Sequence, residues 1–450
     1  MNLFKYLTVF VLFINQMAGV GSSLQAQTSA DRMTLDQILD GALKKNPSIQ
    51  AAQWRKLAAE KRIWEARSGF FPRINVIGSY TRYKEPMIIT PIHEPGKFPP
   101  LDDKIFTSQL QLQLPLFNGG RTSATYKAAK ASAAESKAQG ESVETKVIQN
   151  VAGIYLQAKE VTDKRHLIAQ RLNALRQRYR ELSLLQREGR VSEADFALMN
   201  SSLQSTLADS LELESAWYQL GIQLGQIIGV GHPIIPDVSD LSGSETTIIE
   251  ADLLPDTTNI EERSHSPEIK KARAQLMQAK AMKSLATRSF LPEVSGFYVQ
   301  NTNSGGSEWN PVSEWAVGLT VRIPLFDGGR RIASVGAAGA AEKAAAANLT
   351  NTLLEKKALL EMAFLKWQTT FKQRQFLTQA VESKQKYVEA QQKLYKEGRI
   401  SLSELLTQET ELLTLQIQEK ELRYTEQRAI IDYHTLIGDL TAENVKKILQ

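Results

Sequence analysis

Apolar side chains recur along this chain in two rhythms, one of seven and one of two. Between Arg121 and Arg187 there is no proline, and Val147, Ile154, Val161, Ile168, Leu175 and Leu182 stand seven apart. Val151, Ala158, Leu172 and Tyr179 fill the second heptad position, with Arg165 as the exception. A second proline-free stretch, 330–396, keeps the rhythm with Leu353, Leu360, Trp367, Val381, Val388 and Tyr395, and Arg374 stands where Arg165 does. A sustained repeat of seven predicts left-handed coiled coils. At 1.5 Å per residue each such helix is about 100 Å long, beyond the span of an ordinary domain. Each is followed by a returning helix, 192–229 and 401–437, whose apolar positions step by threes and fours, as in Phe196, Met199 and Leu203.

The rhythm of two precedes each long helix. Trp315, Val317, Leu319, Val321 and Ile323 alternate with Ala316, Gly318, Thr320 and Arg322, and Leu110, Leu112 and Leu114 alternate with Gln109, Gln111 and Gln113. Alternation places one set on each face of a strand. Weaker alternations lie upstream, so strands are expected at about 72–83 and 105–116, and again at about 292–301 and 313–325. About ten residues suit a tilted membrane-spanning strand. Four strands enclose no useful lumen, and lipid tolerates no open sheet edge, so several chains are expected to share one barrel.

The two rhythms belong to a tandem repeat. Leu114-Pro115-Leu116-Phe117-Asn118-Gly119-Gly120-Arg121 returns 209 residues later as Ile323-Pro324-Leu325-Phe326-Asp327-Gly328-Gly329-Arg330. Glu188-Gly189-Arg190 and Glu397-Gly398-Arg399 keep the same offset, as do Ile228-Gly229 and Ile437-Gly438. Upstream, Asn46-Pro47 answers Ser266-Pro267 and Phe71-Pro72 answers Leu291-Pro292, both at 220. The first half therefore carries 11 extra residues, assigned to the proline-rich segment 86–100. The repeats are expected at 27–229 and 261–440, each opening with a short helix. Residues 230–260, with Pro233, Pro236 and Pro255, form an irregular connector, and 441–450 a C-terminal tail.

Each helical hairpin has a glycine at its tip. Gly189 or Gly398 ends one helix, and Ser192 or Ser401 caps the next, with Asp195 or Glu404 at the capping-box spacing. The same acids, repeated around an oligomer, would form a ring of carboxylates favouring cations. Pro115, Asn118, Gly119 and Gly120, with Pro324, Asp327, Gly328 and Gly329, read as strand-to-helix turns rather than anion sites.

The first 26 residues read as a secretory signal peptide: Lys5, an apolar run from Leu7 to Ile14, then a small and polar exit near Ala26. No other segment has the roughly 20 apolar residues of a membrane helix. The chain has no cysteine, which excludes disulfides, thiol catalysis and a lipidated N-terminal cysteine. The net charge of +5 comes without a basic block, so nucleic acid is not an expected partner. Five scattered histidines lack metal-ligand spacing, and no nucleophile elbow, Walker loop or dinucleotide fingerprint occurs. No enzyme activity, cofactor or metal is expected.

The duplicated set of strand, strand, Pro-Leu-Phe-[Asn/Asp]-Gly-Gly, long helix, Gly tip and returning helix resembles the TolC-like outer-membrane efflux proteins over about 34–440. The resemblance implies a homotrimer with a transmembrane β-barrel completed by trimerisation and a long α-helical coiled-coil barrel in the periplasm, the connector forming an equatorial belt. It implies a passive exit duct of a tripartite efflux or type I secretion system, docked at its helix tips to a periplasmic adaptor and an inner-membrane pump. Gly189, Arg190, Ser192, Gly398 and Ser401 fall at those tips. The family pattern places gate acids at Asp195 and Glu404 and a gate tyrosine at Tyr395. Two positions depart: the second ring acid is Thr407, and the expected basic residue is Ile400, with Arg399 one place earlier. A periplasmic coiled-coil adaptor or structural protein is the alternative; it accounts for the heptads but not for duplicated strands.

Overall fold

A computed structural model describes residues 31–89, 101–238, 265–305 and 311–449, with positions 92, 95, 96 and 98. The signal peptide, most of the connector and much of the proline-rich insertion lie outside the described residues. Strand β1 (Asp31–Met33) leads into helices α1 (Leu35–Lys45) and α2 (Pro47–Ser68), then strands β2 (Arg73–Ile88) and β3 (Leu101–Phe117). The first hairpin pairs α3 (Arg121–Arg187) with α4 (Glu193–Ile228), and β4 (Ile234–Pro236) follows. The second half repeats the order with α5 (Pro267–Arg288), β5 (Glu293–Gly305), β6 (Val312–Arg322), α6 (Arg330–Lys396) and α7 (Leu402–Ile437), and ends in α8 (Ala442–Leu449). Both long helices have 67 residues and both returning helices 36, so the two rods match in length.

The repeat is kept at the level of hydrogen-bonded register. Ile74 pairs with Leu112; shifting the first by 220 and the second by 209 gives Val294 and Val321, which are also partners. The four long strands form one antiparallel sheet in the order β2-β3-β5-β6. Its outer strands β2 and β6 have no partner on their outer sides among the described residues. The prolines behave accordingly. β2 runs on through Pro86, beyond the expected end near 83, because its ladder with β3 is interrupted between Arg82 and Met87, so the proline there costs no ladder bond. β3, paired on both sides, continues to Phe117, whereas β6, paired on one side, stops at Arg322, short of the expected 325.

The main core lies midway along the rods. Leu35, Ile38 and Leu39 of α1 pack there on Val151, Tyr155 and Leu156 of α3. β1 pairs in parallel with β4, and the Tyr155 hydroxyl donates to the Asp237 carbonyl at 2.7 Å, so the start of the chain and the start of the connector are tied to the same helix. The expected tail at 441–450 is corrected: 442–449 form a helix whose Val445 and Leu449 are fully buried in this core. Burial pushes the Lys159 amine down to about 8, and its Nζ donates to the Leu449 carbonyl at 3.4 Å.

Candidate functional site: helix tips, hairpin seam and open wall

The two tips share one backbone solution. Gly189 (φ 71°) and Gly398 (φ 70°) adopt the left-handed conformation that side-chain-bearing residues avoid. The Gly189 and Arg190 amides donate to the Gln186 and Leu185 carbonyls, and the Gly398 and Arg399 amides to those of Tyr395 and Leu394, all at 2.9 Å. This closure satisfies the last carbonyls of each long helix. Arg190 and Arg399 both reach back to the acid before the glycine, Glu188 and Glu397, at 3.5 and 3.6 Å on the surface.

The serine caps form, but the reciprocal half of the capping box does not. Ser192 Oγ accepts from the Asp195 amide at 3.0 Å, and Ser401 Oγ from the Glu404 amide at 3.1 Å. The Asp195 carboxylate accepts the Ser192 hydroxyl at 2.6 Å instead of reaching the cap backbone. The Glu404 carboxylate is exposed and has no hydrogen-bond partner among the described residues. Capping thus employs one of the two acids and leaves the other to solvent.

Of the predicted tip residues, the fold brings Tyr395 and Asp195 into electrostatic range across the two hairpins. Burial raises the Tyr395 phenol above its usual value; Asp195, Glu181 and Glu409 add to this, while Arg178 opposes it. Arg399 pairs with its own tip. A small core beneath the tips draws Leu175, Leu182, Met199, Leu402 and Leu406 from both hairpins, with Tyr395 packed on it.

Above that core lies a charged knot that motif reading did not single out. Glu409 of α7 accepts from Arg178 through both oxygens at 3.0 Å, from Arg171 at 3.0 Å and from Gln392 at 3.0 Å. Burial pushes the Glu409 carboxyl up, but Arg178, Gln392 and Arg171 together outweigh it and hold it below the usual range. Burial holds Arg171 below the usual guanidinium value, whereas Arg178, with two bonds to the carboxylate, sits above it. The knot ties α3 of the first half to α6 and α7 of the second. Its signal in the sequence is a charged residue on a buried stripe: Glu409 follows Leu402 and Leu406 and precedes Leu412 at helical spacing.

At the other end of the rods, Gly119 (φ 64°) and Gly120 (φ 78°) turn β3 into α3. A Cβ on Gly119 would lie 2.6 Å from that of Leu291, and Arg288 donates to the Gly120 carbonyl at 2.7 Å. Asn118 bonds its own helix through Thr122. In the second half Asp327 accepts from Arg331 at 2.8 Å. These are closed local contacts of a turn. The strands they follow present Trp315, Val317, Leu319 and Val321 on an exposed face of the sheet. No helix among the described residues is long and apolar enough to cross a membrane. None of them forms a cluster of three or more His, Cys, Asp or Glu suited to a metal ion.

The outer membrane efflux protein family model matches residues 38–230 and 261–439, one segment for each repeat. The chain belongs to this family. The probable outer membrane lipoprotein SilC of Salmonella typhimurium is 25% identical over 252 residues, 52% of this chain and 51% of that protein. The chain thus spans about half the length of this curated relative in the match. Among solved structures, the CmeC outer membrane channel of Campylobacter jejuni superposes with a TM-score of 0.77 at 19% identity, over 92% of this chain and 89% of that one. The outer membrane protein VceC of Vibrio cholerae gives 0.75 at 17% identity, over 90% and 96%. The open-state MtrE outer membrane channel of Neisseria gonorrhoeae gives 0.73 at 18%, over 90% and 91%. At these identities the likeness shows the fold. It is that of a TolC-like outer membrane factor, with a mixed α and β chain whose sheet is open at both edges.

Proposed function

We propose that this chain is the exit duct of a tripartite efflux or type I secretion system, conducting substrates passively across the outer membrane. The observation that carries the reading is the four-stranded sheet with two unpaired edges and an exposed apolar face, continuous with rods of 67 residues. Lipid requires such a sheet to close. Three copies with four strands each close it as a homotrimer. The rods then form the periplasmic tunnel. The tips, with Gly189, Arg190, Ser192, Gly398 and Ser401, meet a periplasmic adaptor fed by an inner-membrane pump. The reading includes no catalytic step and no cofactor.

Within it, Glu404 supplies a carboxylate ring at the pore mouth, since its side chain is exposed and free of the cap. Asp195 and Tyr395 bridge the two hairpins beside that mouth, and Arg399 lines it. The detergent-extracted protein, reconstituted in planar bilayers, is expected to give discrete cation-selective channels, and Glu404→Ala is expected to weaken that selectivity. An unchanged reversal potential would remove Glu404 from the ring. A protein released by osmotic shock without detergent would instead favour the adaptor reading and sink the duct.

A further inference from the structure

One face of the four-stranded sheet carries Gln109, Gln111 and Gln113, and the opposite face carries Trp315, Val317 and Leu319. With the apolar face in lipid, the glutamine face lines the lumen. Arg73 stands opposite Gln113 in the ladder and so belongs to the glutamine face. It borders a cavity of about 860 Å³ where α2, α3 and α5 meet the sheet, at the neck between rods and strands. Cavities of this size take drug-sized molecules.

Three arginines line the cavity, Arg62, Arg73 and Arg121, against two acids, Glu65 and Glu293. Three guanidiniums and two carboxylates leave one positive charge in excess. Glu293 is taken by Arg121 at 2.8 Å. The side chains of Arg62 and Arg73 have no hydrogen bond or ion pair among the described residues. Between the charges, Ala129 and Met282 supply apolar wall, and Thr125 and Ser132, two turns apart on α3, supply hydroxyls.

The repeat shows that the fold does not require these charges. Shifted by 220, Arg62 becomes Met282, Glu65 becomes Leu285 and Arg73 becomes Glu293. Helices α2 and α5 have 22 residues each with either set. Glu293 opposes Arg322 in its ladder, whereas Arg73 opposes the neutral Gln113. The first half thus holds two unpaired guanidiniums at positions where the same backbone accepts a methionine and a glutamate.

We infer that the neck cavity binds an amphipathic organic anion, its carboxylate or sulfonate on Arg62 and Arg73 and its hydrocarbon body against Met282 and Ala129. The planar guanidinium fork matches two oxygens of such a group, and an unpaired one is ready to receive it. The inference rests on the duct reading, which makes the glutamine face the lumen, and it adds a class of cargo. The tip acids lie at the far end of the 67-residue α3, about 100 Å away. A cation-favouring mouth and an anion-holding neck therefore act on separate stretches of the duct.

The full-length protein in dodecyl maltoside, titrated calorimetrically with naphthalene sulfonate, is expected to bind it more tightly than neutral naphthol. Arg62→Met with Arg73→Gln is expected to weaken sulfonate binding at least about tenfold, leaving naphthol binding and the unfolding midpoint unchanged. Arg62→Lys with Arg73→Lys is expected to retain the preference for sulfonate over naphthol. In planar bilayers the sulfonate is expected to reduce the current through the wild-type channel and not through the Met/Gln double variant. Equal sulfonate affinity in that variant and the wild type overturns the site. Displacement of the sulfonate by phosphatidylglycerol, with no effect of the sulfonate on the current, makes the cavity a lipid seat and overturns the cargo assignment. If the sulfonate binds through the arginines but the wild-type protein forms no channel, the duct falls and the anion cavity stands.

Discussion

Residues 165 and 374 occupy the same place in the two hairpins and both are arginine, yet they meet different chemistry. The Arg165 guanidinium lies 5.7 Å from the Trp217 ring centroid, at the α4 flank. Arg374 Nε lies 2.6 Å from a carboxylate oxygen of Glu426, whose side chain is 1% exposed. Trp217 and Glu426 are themselves repeat equivalents, 209 apart. The difference follows from the neighbours. The α7 helix is covered on one side by α6 and on the other by α3, so a polar group there needs a charged partner. The α4 helix packs mainly on α3, with α1 and β4 against its C-terminal end and α7 near the tip, and at Trp217 an exposed cation over an indole suffices. Duplication copied the backbone, and the packing position then decided which side chains were admissible.

That comparison breaks most sharply at Arg374. Arg374→Ala leaves Glu426 buried without its cation and is expected to cost about 3–5 kcal/mol, read as a lowered unfolding midpoint in detergent. Arg165→Ala is expected to cost about 0.5–1 kcal/mol, the worth of an exposed cation–π contact. Equal losses would mean that the two sites are energetically alike despite their partners.

The Glu409 knot sharpens the comparison through pH. Its folded carboxyl titrates below the ordinary value of 4.5. The stabilisation is therefore complete above 4.5 and is lost as pH falls through the lower, folded value. Acid titration of thermal unfolding is expected to show a loss of stability below pH 4.5 that is reduced in Glu409→Gln. An unchanged acid limb in that variant would assign the loss to other carboxylates.

The caps give the smallest effect. Ser192→Ala and Ser401→Ala should each cost about 1 kcal/mol. Ser192→Ala should be the larger loss, because its hydroxyl also holds Asp195. Matched unfolding curves for the two variants would test whether that second bond has any worth.

Much of the architecture is legible because long elements average over many residues. A heptad kept for nine turns or more leaves no other reading for 121–187 or 330–396, and a fixed offset of 209 aligns both rods and both tips. Short or singular features escaped. Helix α8 has eight residues, too few for a period to be distinguished from chance, and its burial arises only where α1, α3 and α7 converge. The end of β2 escapes because Pro86 reads as a breaker until the ladder is known to be interrupted around it. Among the site residues, the glycine turns and serine caps are local and were read from spacing alone. The Glu409 knot joins residues more than 230 apart in sequence, and no local spacing encodes which cation a buried acid will meet.

The sequence by itself determined the two rods, the four strands, the tips and their equivalence, because each follows from local periodicity or from repetition. Only the tertiary structure decided that the repeats differ in their flanks. It buried Ile431 and exposed Ile222, and it paired Arg374 with Glu426 while leaving Arg165 over Trp217. The physical reason is that a chain with two repeats closes one seam within itself, between β3 and β5, and leaves the counterpart strands β2 and β6 at the edges of the described sheet.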